Sequence, residues 1–97
     1  MELAHTRNVY GDCYGVIAAV TQVVRELDRA RQVHPAAFCS MYEGYAVLLE
    51  ELDELWEEIR RKQPVPARVR EEAVQVTAMA LKFLIDCCLL PAREGDE

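Results

Sequence analysis

The sequence predicts an all-α fold, three long helices per chain forming a bundle that oligomerisation completes. Three observations predict it. Along residues 45–61, YAVLLEELDELWEEIRR, the residues Leu48, Leu52, Leu55 and Ile59 recur at helical spacing, with Tyr45, Leu49 and Trp56 beside them. Gly and Pro number only four each, which suits long helices joined by few turns. An apolar content of 52% against 29% charge is that of a folded chain, and 97 residues make one domain, 1–97, near the small end of what sustains its own core.

Taken in order, residues 1–10 read as a loosely ordered lead-in. Asp12, after Gly11, is the expected N-cap of a first helix running to about Gln32, with Val16, Val20, Val23, Val24 and Leu27 as its buried stripe. Arg29 and Arg31 near its end suit the helix dipole, or could face a phosphate. Pro35 disfavours helix at His34, so 33–40 is a connection. Ser40 with Glu43 forms a capping box that starts the second helix near Met41 and carries it to about Lys62. Gly44 within it costs ~1 kcal/mol against Ala, which points to a close helix approach. Pro64 and Pro66 break the chain, and Pro66 opens a third helix to about Leu89. That helix is apolar nearly all round, so it should be buried on most sides and call for a second subunit. Residues 91–97 read as a loose tail.

A net charge of −6 argues against a nucleic-acid backbone as partner, since that needs clustered Lys and Arg. No basic start with an apolar run opens the chain, and no stretch reaches ~18 apolar residues, so a cytoplasmic protein outside the membrane is expected. Cys13, Cys39, Cys87 and Cys88 lack metal-ligand spacing and read as small buried thiols.

The acids carry the functional signal. Glu50, Glu51, Asp53, Glu54, Glu57 and Glu58 are six acids in nine residues, and basic partners (Arg61 for Glu57, Lys62 for Glu58) arrive only at the helix end. Glu50 and Glu54 repel at i,i+4 unless a cation intervenes, and a hard divalent ion with oxygen ligands would relieve them. Glu71, Glu72 and Gln75 form a narrow polar strip on the third helix. Two helices that bring carboxylates to a shared face can build a metal site; a solvated amphipathic face is the plainer reading of the same pattern.

Glu50-Glu51-Leu-Asp-Glu54-Leu followed by Glu71-Glu72-Ala-Val-Gln75-Val resembles the MazG-like all-α nucleoside triphosphate pyrophosphohydrolases, whose pattern is EExxE on one helix and ExxD on the next. The resemblance covers 43–86. It implies a MazG-like bundle that pairs as a homodimer or tetramer. The implied reaction splits an NTP or dNTP between the α and β phosphates, with Mg²⁺ or alternatively Mn²⁺. By the same resemblance Glu51, Glu54, Glu72 and Gln75 would be metal ligands, Glu50 a ligand or the base on water, and Lys82 a phosphate contact. Gln75 stands where the family has Asp, which removes one negative charge from the site. A chain so altered could instead be a nucleotide-binding or protein-interaction module without hydrolysis.

Overall fold

The computed structural model describes residues 14–91; the lead-in, the Asp12 cap, Cys13 and residues 92–97 of the tail lie outside them. Within that range the chain is all helical: α1 (Tyr14–Val33), α2 (Met41–Ile59) and α3 (Pro66–Phe83), the last running on into a six-residue π-helical stretch, Leu84–Leu89. α3 packs along both α1 and α2, which touch each other little. None of these helices is long and apolar enough to cross a membrane.

Local chemistry sets the ends. Ser40, extended at φ −160°, accepts the Glu43 N–H at 3.1 Å, and the Glu43 carboxylate reaches back to the N–H of Cys39, one residue before the expected Ser40. α2 stops at Ile59, three residues short of the expected Lys62. Arg60 closes it, donating its N–H to Trp56 O at 2.9 Å, and Pro64 keeps Gln63 out of the helical region. The acids before this end pair at i,i+3, Glu57 with Arg60 and Glu58 with Arg61, and not at the expected i,i+4. Pro66 opens α3 as expected. Helical backbone continues to Leu89, but it widens after Phe83, and Leu90 N–H donates to Ile85 O at 3.0 Å.

The core is small. Val23 and Leu27 of α1 meet the fully buried Ala78 of α3, with Met79, Leu81 and Ile85 packed around them. Val16, Val20 and Val24, expected in the same stripe, are exposed, because α3 alone covers α1. α2 shows the same lack of cover: Tyr45, Leu49, Leu52, Trp56 and Ile59 are exposed. The uncovered apolar surface therefore lies mostly on α1 and α2, while α3, the expected source of it, is sandwiched between them. Cys39 and Cys88 are exposed, not buried, and Cys87 is half-buried.

Two contacts hold α2 and the connection to the far end of α3. Gly44 is buried against Phe83 and Phe38; a Cβ there would stand 2.6 Å from Phe83 Cδ2 and 3.1 Å from Phe38 Cδ2, so the close approach needs glycine. Beside it Lys82 and Asp86 form an ion pair with side chains only 8% and 4% exposed. Lys82 Nζ also donates to Ala36 O at 3.1 Å and lies 4.1 Å from the Phe38 ring centroid. Asp86 Oδ2 accepts the Phe38 N–H at 3.1 Å, and its Oδ1 is 4.0 Å from Arg31 of α1.

Removing one member of a buried pair strands the other charge. Asp86→Ala should therefore lower unfolding stability by about 3–5 kcal/mol in urea titrations followed by circular dichroism. Lys82→Met with Asp86→Leu, which removes both charges, should recover about half of that loss.

Candidate metal and phosphate site

Because α2 and α3 run antiparallel from the turn at 60–65, the middle and end of α2 face the beginning of α3. Glu51 and Glu54 are four and one residues short of Leu55 on α2, and Glu72 lies two turns into α3. Glu54 comes within side-chain hydrogen-bonding reach of both Glu51 and Glu72. Both of those carboxyls are pushed up from their ordinary range. For Glu51, burial is the largest cause, followed by the contact with Glu54 and the charges of Glu54, Glu72 and Glu50, and together they raise it to about 7. Glu72 is raised by burial first, then by the charges of Glu54, Glu71 and Glu58.

The structure thus brings together Glu51, Glu54 and Glu72, with Glu50 exposed at the rim and acting on Glu51 through its charge. Gln75, a turn beyond Glu72, is half-buried, and its side chain makes no hydrogen bond among the described residues. Lys82 does not join them. Its ammonium is buried with Asp86 near the opposite end of α3, and neither solvent nor a phosphate reaches it there without breaking that pair. Glu58 had no part in the sequence reading beyond a surface pair, yet it acts on Glu72; its place four residues after Glu54 was the available signal.

The carboxylates suit a hard divalent cation in chemistry: all donors are oxygen, and Glu72 Oε1 is buried with no hydrogen-bond partner among the described residues. Two ionised carboxylates have no proton to share, so the Glu54 contacts are acceptor against acceptor until a proton or a cation enters. The side chains meet in pairs and not about one point. Among the described residues no three His, Cys, Asp or Glu side chains have the geometry of a formed metal site. Binding would therefore draw Glu51, Glu54 and Glu72 inward by side-chain rotation.

Comparison with family models, with curated proteins and with solved structures finds no match.

The raised carboxyls dictate how stability depends on pH. Glu51 holds its proton to about pH 7 when folded, against an ordinary value of 4.5. Between those values the folded state binds more protons, so this contribution is complete below about pH 4.5 and lost as pH rises through 7. Asp86 acts in the other direction. Its burial alone would raise it, but Lys82, the Phe38 N–H and Arg31 together outweigh that and lower it. Its contribution is present above its ordinary 3.8 and lost in stronger acid. Thermal melts without metal should peak at roughly pH 4–5 and fall toward pH 8. Glu54→Gln, which leaves a neutral donor between Glu51 and Glu72, should flatten the fall; an unchanged slope would detach Glu54 from both.

Proposed function

We propose that the chain is a cytoplasmic, Mg²⁺-dependent nucleoside triphosphate pyrophosphohydrolase, releasing pyrophosphate and a nucleoside monophosphate. The observation that carries this reading is the meeting of Glu51 and Glu54 from α2 with Glu72 from α3, in the order in which the MazG-like pattern uses them. Glu51, Glu54 and Glu72 hold the metal. Gln75 adds at most a neutral carbonyl. Glu50, exposed at the rim, orients the attacking water and takes up its proton. Bound Mg²⁺ supplies neutralisation of the charge that builds on the phosphates and makes the water more acidic. The acids themselves repel an unescorted polyphosphate, so they select it with its cation.

Gln75, together with carboxylates that meet only in pairs, favours a second reading in which the same surface binds a metal–nucleotide complex without hydrolysing it. Pyrophosphate release across a panel of NTPs and dNTPs separates the two. The hydrolase reading expects release that needs Mg²⁺ or Mn²⁺ and falls by about two orders of magnitude in Glu54→Gln. Release by no substrate, with a thermal shift on adding Mg²⁺ alone, would leave the binding module.

The reading includes a homodimer or a dimer pair, supported by the exposed Tyr45, Leu49, Leu52 and Trp56 on α2 and Val16, Ile17, Val20 and Val24 on α1. Light scattering at micromolar concentration should give a mass at least twice the 11.1 kDa of one chain, and Trp56→Glu should lower it. A persistent monomer would remove the homodimer from this reading.

A further inference from the structure

Next to the acids the structure forms a second feature of opposite sign. α1 and the start of α3 enclose an open cleft of about 510 Å³ whose lining includes Arg25 and Arg29 from α1 and Arg68 and Arg70 from α3. That volume is in the range of small-ligand sites. Glu26 and Glu71 also line it, but the Glu26 carboxylate is taken by Arg29 in a two-pronged pair at 3.0 and 2.6 Å. Among the described residues the side chains of Arg25, Arg68 and Arg70 make no hydrogen bond or ion pair. Four guanidinium groups against two carboxylates leave the cleft with an excess of two positive charges, in a chain whose net charge is −6. The 18-residue α3 also begins here with no side-chain cap, since the Val65 side chain has no oxygen, although the Val65 carbonyl accepts the N–H groups of Arg68 at 2.9 Å and Val69 at 3.1 Å.

The cleft and the acids adjoin. Arg29 is near enough to Glu51 to feel its charge, and Glu71 of the cleft is the neighbour in sequence of Glu72. Arginine's planar fork matches phosphate oxygens in pairs of hydrogen bonds, whereas carboxylates would hold the escorting cation.

We infer that the cleft between α1 and the start of α3 is a polyphosphate seat, in which Arg25, Arg68 and Arg70 bind the pyrophosphate portion of a nucleoside triphosphate. The identity of the whole ligand rests on the hydrolase reading; the anion seat itself does not. Arg29, held by Glu26, borders the acids and positions the chain of phosphates between the two features. This assignment takes the phosphate contact away from Lys82 and gives it to side chains that are exposed and have no ion-pair partner among the described residues.

The test is titration of the full chain with inorganic pyrophosphate, without metal and at low ionic strength, by calorimetry and by amide chemical shifts. Wild type should bind, with shifts in 22–29 and 66–74. Arg25→Gln, Arg68→Gln and Arg70→Gln should each weaken binding by about tenfold. Arg60→Gln, equal in charge but outside the cleft, should leave it nearly unchanged. All four residues are exposed, so helical content and melting should stay at wild-type values and separate lost binding from lost folding. No binding by wild type, or equal weakening by Arg60→Gln, would overturn the seat as an unspecific charge effect. Pyrophosphate bound through the cleft arginines, with no hydrolysis of any triphosphate, would keep the seat and remove the hydrolase. Hydrolysis with unaltered KM in all three cleft variants would do the reverse.

Discussion

The buried pair of Lys82 and Asp86 is the interaction on which the arrangement of the helices depends. Asp86 binds the connection through the Phe38 N–H and faces Arg31 of α1, while Lys82 takes Ala36 O and lies over the Phe38 ring. Phe38 in turn packs on Gly44, so α2 is drawn to the same place. A pair of charges at this depth adds little net stability over apolar residues of equal size. What it does is fix direction: hydrogen bonds tie the connection, a 4.0 Å ion pair reaches α1, and the packing of Phe38 on Gly44 brings in α2, all where α3 passes into the π-helical stretch. The widening of the helix after Phe83 coincides with this turn, where Asp86 faces three separate partners.

The other end of the α2–α3 hairpin is built on repulsion. Glu54 lies beside Glu51 and Glu72 at the helix interface, and burial makes the charges of Glu51 and Glu72 harder to sustain. One end of the bundle is thus satisfied and the other is not. Carboxyls raised by burial and by like charges occur at structural clusters as well as at functional sites, and the contrast between the two ends is what the proposed function is built on. The arginines across the start of α3 supply the opposite sign at a short distance without neutralising the acids directly.

Much of this was legible in the residues. The apolar period from Leu48 to Ile59, the Ser40–Glu43 box and Pro66 gave the three helices and most of their limits. Gly44 announced the close contact that Phe83 and Phe38 make with it. Glu51, Glu54 and Glu72 stand out by order and spacing, and Glu54 lies beside each of the other two. The failures share a cause. Periodicity says which face of a helix is apolar but not whether this chain has anything to cover it, so Val16, Val20 and Val24 are exposed where the stripe alone expects burial. The resemblance makes Lys82 a phosphate contact; its pairing with Asp86 four residues on is a local pattern, but the burial of that pair under Ala36, forty-six residues back, is set by tertiary packing. The cleft joins arginines of two helices separated by about forty residues, and no local pattern records that meeting.

The position of Trp56 has a practical consequence. It is the single tryptophan of the chain, and it is 56% exposed on the uncovered stripe of α2. Its indole is already wet in the folded monomer, so unfolding changes its surroundings little. Its emission is a weak gauge of folding and a sensitive one of whatever comes to lie on α2, shifting to the blue when that surface is covered. The optical signal of this protein therefore reports company and not conformation.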